Sequence, residues 1–259
     1  MLCGRRDALL EALTENHELP EMLAGDTRYP EIEALLAEGH GIWSVSPALA
    51  RLLARAIGRL GLSNILEFGA GLSSLVLATC LSHSSGGSLT SVEQNLRWCR
   101  DQWRRVSDLP NVDSRIVESK PSLSLSAVGI CYSFRDAAET VASRGPYDLV
   151  LVDAPQEFYG RDGALQMASR HLAPGALVVL DDAGRSGERW ALFRNLATTR
   201  GYELLFYDAE LGRHGCAILR WCSDMRTRPS LLALSTSAVE AVESARKRSR
   251  RRADIGEWV

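Results

Sequence analysis

Apolar positions along this chain change their spacing several times, and each change marks a different element. After Ser46, residues Leu49, Leu52, Leu53, Ala56, Ile57 and Leu60 recur at three- and four-residue intervals, the stripe of an amphipathic helix. Ser46 stands as its N-cap, Pro47 at its first position, and Gly61 ends it. Two shorter helical patterns precede it, one with Leu9, Leu10 and Leu13 and one with Ile32, Leu35 and Leu36, separated by Pro20, Gly25 and Pro30.

Downstream, short apolar runs alternate with helical stretches. The pattern predicts strands over Asn64–Phe68, Ser88–Val92, Val112–Val117, Asp148–Val152 and Ala176–Leu180. Helices are predicted over Leu72–Ser82, Leu96–Ser107, Gly163–Leu172 and Gly187–Arg200, and the stretch before Asp148 is less regular. Runs without polar alternation suit strands covered on both faces. The last two strands, Glu203–Tyr207 and Cys216–Trp221, flank a segment with Gly212 and Gly215 that is too short for a helical crossover, so they form an antiparallel hairpin. Five parallel β-α repeats closed by a hairpin make an α/β fold with helices on both faces of one sheet. The boundaries are a helical extension over 1–45, the domain over 46–222, and a C-terminal extension over 223–259.

Composition changes this picture little. Thirty Lys and Arg against 32 Asp and Glu give a formal charge of −2, no general reason for a nucleic-acid or membrane partner. Six cysteines without a C-x-x-C pair argue against a zinc site or a disulfide framework, and no run is long and apolar enough to span a bilayer, so the expected location is the cytoplasm. The exception is local: residues 246–252 hold six basic side chains in seven positions.

The chemistry begins at the first strand. Glu67-Phe68-Gly69-Ala70-Gly71 follows it directly and opens a helix, so Gly69 and Gly71 can turn tightly and let a ligand approach the backbone. The dinucleotide fingerprint would want a third glycine where Ser74 stands, which speaks against a nicotinamide cofactor. Glu93 ends the next strand about 20 residues further on, where a carboxylate can accept both hydroxyls of a ribose. Asp153 ends the fourth strand and Asp181-Asp182 the fifth, placing three carboxylates at the edge where open α/β sheets bind ligands.

Four segments, Ile65 to Gly71, Ser91 to Glu93, Tyr147 to Asp153 and Leu172 to Ala176, together resemble the successive motifs of class I S-adenosylmethionine-dependent methyltransferases over residues 46–221. The resemblance implies a Rossmann-like seven-stranded sheet of order 3-2-1-4-5-7-6 with the last strand antiparallel. It also implies that Glu67, Gly69, Ala70, Gly71 and Ser73 hold the methionine part of the cofactor and Glu93 its ribose, that Glu118 and Ser119 lie near the adenine, and that Asp153 borders the cofactor. Asp153 and Asp181, 28 positions apart, resemble the catechol O-methyltransferase group, in which carboxylates at these strand ends and a following Asn bind magnesium beside the acceptor hydroxyls. Here Asp182 replaces the Asn, and Gln156 stands where that group carries a basic lysine.

Asp153, Asp181 and Asp182 are therefore the candidate catalytic residues. They either hold a divalent ion such as magnesium or serve as cofactor contact and helix caps. Trp43, Tyr132, Phe158 and Tyr159 are candidates for the pocket wall, with helices before Ser46 covering it, and Arg185 for an anionic acceptor. The expected function is methylation of a small-molecule hydroxyl by a protein that can form a homodimer. The alternatives are an RNA methyltransferase tethered by the basic tail and a non-catalytic partner-binding protein of the same fold.

Overall fold

A computed structural model describes residues 21–23, 29–38, 44–155, 159–198, 201–222, 235–239, 241–242 and 245–246. Seven strands form one sheet: β1 (Asn64–Phe68), β2 (Gly87–Glu93), β3 (Val112–Glu118), β6 (Tyr147–Val152), β7 (Leu172–Asp181), β8 (Tyr202–Asp208) and β9 (Cys216–Trp221). Their order is β3-β2-β1-β6-β7-β9-β8, with β9 antiparallel to both neighbours. Once β4 (Ser122–Ser126) and β5 (Gly129–Ser133), a separate antiparallel pair, are set aside, this is the expected order, 3-2-1-4-5-7-6.

The central strands are mostly apolar because both faces are covered. Ile65, Leu149, Leu151, Leu177 and Val179 face one core with helices α1 (Pro30–Ala37), α2 (Pro47–Leu60) and α3 (Leu72–His83), and with Val106 of α4 (Arg100–Ser107). Leu66, Phe68, Val150, Val152, Val178 and Leu180 face the other core, shared with α5 (Ala138–Arg144), α6 (Asp162–Ala168) and α7 (Ser186–Thr198). The period-two split of each strand between two cores follows from the alternation of side chains in an extended chain.

Helix α2 begins and ends as its residues dictate: Ser46 Oγ accepts the Leu49 N–H, Pro47 opens the helix, and Gly61 takes the left-handed conformation at φ 64°. Helix α1 lies away from the carboxyl edge of the sheet. Glu31 pairs with His83 and Glu38 with Arg105, both in the last turns of helices that run toward the amino edge. Leu23, Ile32 and Leu35 of the N-terminal extension are buried in this core. No helix among the described residues is long and apolar enough to cross a membrane.

Three boundaries differ from the pattern. Helix α4 starts at Arg100, not Leu96, because Glu93 and the Asn95 side chain capture the N–H groups of Asn95 and Arg97 and hold a turn there. Helix α6 stops at Ala168 because β7 already begins at Leu172, pairing with Tyr147 before a register shift. The hairpin β4-β5 carries its pattern inside out: Leu123 and Leu125 are exposed, while Ser122, Ser124 and Ser126 are half-buried. Helix α6 approaches this hairpin closely, since a Cβ on Gly163 would lie 1.9 Å from the Tyr132 carbonyl oxygen of β5. Within the C-terminal extension, Ser237 is buried and its Oγ accepts the Ile130 N–H, tying 235–239 to this hairpin.

Gly163→Ala should therefore lower stability by roughly 1–3 kcal/mol in urea denaturation, as overpacking against backbone does. Ser46→Ala should cost about 1 kcal/mol through loss of the cap alone.

Candidate active site

Two clusters of acids meet where β1 ends beside β6. In the first, Gly69 has φ 98°, and a Cβ there would stand 3.1 Å from the Asp153 carbonyl carbon and 3.2 Å from Ala154 Cβ. Only glycine lets the turn press this closely on the end of β6. Gly71 is extended, and a Cβ on it would meet nothing within 4 Å, so open space lies over the turn.

Glu67 sits under this turn, fully buried. Its Oε2 accepts the hydroxyls of Ser74 at 2.5 Å and Ser91 at 2.7 Å, and Ser74 Oγ accepts the Gly71 N–H at 3.0 Å. Glu93 reaches back from the end of β2: Oε2 accepts the Ala70 N–H at 2.9 Å and Oε1 the Asn95 N–H at 2.8 Å. Ser119 extends the edge at β3 through its N–H to the Glu93 carbonyl, while the exposed Glu118 carboxylate lies at the Leu96 N–H. Among the described residues, Glu67 Oε1, Gln94 Oε1 and Ser119 Oγ are buried without a hydrogen-bond partner. Buried polar atoms are rarely left so, and these three line the edge where a polar ligand would meet them.

The second cluster forms at the ends of β6 and β7. Asp153, Asp181 and Asp182 each offer an oxygen within 4.8 Å of the others. Among them lies a residue with no counterpart in the sequence expectation, Arg161, whose side chain is 2% exposed. Its Nη2 donates to Asp153 Oδ1 at 3.0 Å and to Asp182 Oδ2 at 2.8 Å; its Nη1 donates to the main-chain oxygens of Val152, at 3.3 Å, and Asp181. Its Nε stands 3.9 Å from Glu188, itself buried at the start of α7. Asp182 is strained at φ 54° and also takes Arg185 at 2.8 Å, so Arg185 points into this cluster. Asp181 Oδ1 accepts the Asp182 N–H at 2.8 Å. Burial raises the Asp181 carboxyl above the usual range, the Asp182 charge adds to it, and Arg161 opposes it.

Residues 66–183, spanning both clusters, match the sequence profile of the family described as Methyltransferase domain. Over these residues the chain is similar to methyltransferase domains. Its fold is shared with the O-methyltransferase of Bacillus cereus in complex with SAH, at 17% identity and a TM-score of 0.51, covering 85% of this chain and 100% of that one. The O-methyltransferase TomG of Streptomyces achromogenes, involved in tomaymycin synthesis and in complex with SAM, gives 17% identity, a TM-score of 0.52, and coverage of 84% and 96%. Cofactor-bound Rv0187 of MTB gives 21% and 0.52, with coverage again of 84% and 96%. No curated protein sequence matches the chain.

The fold brings Glu67, Gly69, Ala70, Gly71, Ser73 and Glu93 together around this turn, with Ser73 beside Glu67. Tyr132 and Tyr159 meet edge to face, ring centroids 5.0 Å apart, near Gly160 and Asp162. Trp43, Gln156, Phe158 and the tail 247–252 lie outside the described residues; Arg246 is helical and exposed. Arg161 was missed because a single arginine before a short helix ordinarily reads as surface charge. Glu188 was missed for the same reason.

Burial pushes Glu67 from 4.5 up to about 7; the hydroxyls of Ser73, Ser74 and Ser91 oppose this and the Glu93 charge adds to it. With the folded pKa above the unfolded one, the native state holds this proton more tightly. Its contribution to stability is full below about pH 4.5 and is lost as pH rises through about 7. Urea denaturation at about pH 5 and pH 8 should show the wild type losing roughly 2–3 kcal/mol from this group, and Glu67→Gln abolishing that loss.

Proposed function

We propose that this domain binds S-adenosylmethionine over the Gly69–Gly71 turn and directs its methyl group to a hydroxyl of a small molecule held beside Asp153 and Asp181. The observation that carries the reading is Glu93, whose carboxylate is fixed over the glycine turn by the Ala70 and Asn95 N–H groups. Each of its oxygens keeps a lone pair, enough to accept the two hydroxyls of a ribose. The residues fit such a ligand further: the space over Gly71 is open, and Gln94 Oε1 and Ser119 Oγ are buried without partners along the same edge. SAH in the Bacillus cereus enzyme and SAM in TomG support the cofactor, and their description as O-methyltransferases supports oxygen as the acceptor.

When bound, the sulfonium cofactor supplies a methyl that is already electrophilic, so the protein has only to orient an acceptor and take its proton. Asp153 and Asp182 are committed to the Arg161 guanidinium. Asp181 meets Arg161 through its main-chain oxygen, which leaves its carboxylate for a proton, and its raised pKa makes it a better base than an ordinary surface carboxylate. Tyr159, two residues before Arg161, packs edge to face on Tyr132, and this pair supports an aromatic wall on that side.

Calorimetric titration with S-adenosylhomocysteine should show one site in the wild type, weakened about tenfold or more in Glu93→Ala by loss of hydrogen bonds to a charged group. A folded wild type that binds none would remove the reading. Asp181→Asn should keep that affinity yet slow release of S-adenosylhomocysteine from S-adenosylmethionine, over a panel of hydroxylated acceptors, by about 10²- to 10⁴-fold.

A further inference from the structure

The three carboxylates at the ends of β6 and β7 have the donor set of a divalent-ion site, but their centre is filled. Arg161 Nη2 lies between Asp153 Oδ1 and Asp182 Oδ2, 3.0 and 2.8 Å from them. An ion shared by those oxygens would sit about 2.0–2.6 Å from each, in the volume that this nitrogen occupies. The guanidinium does not leave by deprotonation. Burial disfavours its charge, but Asp153, Glu188, Asp182 and Asp181 outweigh that and raise its pKa further. Nor is it a surface side chain folded in by chance: four of its N–H groups are spent on Val152, Asp153, Asp181 and Asp182, and the fifth faces Glu188.

We propose that Arg161 is the resident cation of this site, a positioning residue that takes the place of a divalent metal, so that the domain binds its cofactor and acceptor without one. A magnesium ion does not fit the carboxylates as they stand. This extends the methyltransferase reading above, since it makes the acceptor side of the same site metal-independent. The guanidinium is planar and multidentate, and it fixes Asp153 and Asp182 at once while tying the ends of β6 and β7 together. Asp181 is thereby left as the one carboxylate of the three that the guanidinium does not bind through its side chain.

Mn²⁺ is titrated into the wild type, Asp182→Asn, Arg161→Ala and Arg161→Ala with Asp182→Asn, free ion being read by electron paramagnetic resonance and folding by circular dichroism. The wild type should show no one-to-one site. Arg161→Ala should take up one Mn²⁺ on the order of a hundredfold more tightly, since a buried positive charge no longer opposes it, and Asp182→Asn should abolish the gain. One-to-one binding by the wild type that Asp182→Asn removes would overturn the assignment, as would a folded Arg161→Ala that gains no ion. Should Arg161→Ala fail to fold, the wild-type titration decides alone. Titrating S-adenosylhomocysteine with and without magnesium separates the two readings: binding that requires magnesium counts against Arg161, whereas no binding in either condition counts against the cofactor site only.

Discussion

A charge removed from water has to be met by opposite charge or by well-placed acceptors, and at the carboxyl edge of this sheet that requirement organises the surroundings. The Arg161 guanidinium is nearly inaccessible, and it draws acceptors from β6, from β7 and from the start of α7. Asp182 adopts a left-handed backbone conformation in the turn after β7, and its side chain meets both Arg161 and Arg185. Removing either partner would leave a buried charge uncompensated, so geometry and electrostatics hold one another in place.

The neighbouring cluster obeys the same rule with a different solution. Glu67 is buried without a cation, and its proton affinity rises until it can sit under the glycine turn with three serine hydroxyls around it. Glu93, less deeply enclosed, is met by main-chain N–H groups. The two clusters touch at Gly69, where β1 has β2 on one side and β6 on the other. That is the point at which the strand order reverses, and in open α/β sheets crevices for ligands form there. One topology thus sets the Glu67–Glu93 cluster on the β1–β3 side and the Arg161 cluster on the β6–β7 side of the same edge.

Much of this was legible in the sequence wherever a local rule governed the outcome. Strands buried on both faces had to be apolar runs, the N-cap and left-handed glycine of α2 were written as Ser46 and Gly61, and the short link between β8 and β9 forced them antiparallel. Rules that depend on neighbours remote in the chain gave way. The hairpin β4-β5 half-buries serines and exposes leucines, and α6 comes within contact distance of its backbone at Gly163, a fact no alternation of polarity can disclose.

Ser91, Gln94, Arg161 and Glu188 belong to the same class. By itself, the sequence determined the strands, the glycine turn and the strand-end acids, because each depends on residues a few positions apart, while the sheet order followed from the resemblance to class I methyltransferases. Only the tertiary structure decided what stands among those acids. Whether an arginine reaches water or is drawn inward depends on the field of four carboxylates that the fold gathers from two strands and a helix, and that field does not exist until the chain has folded.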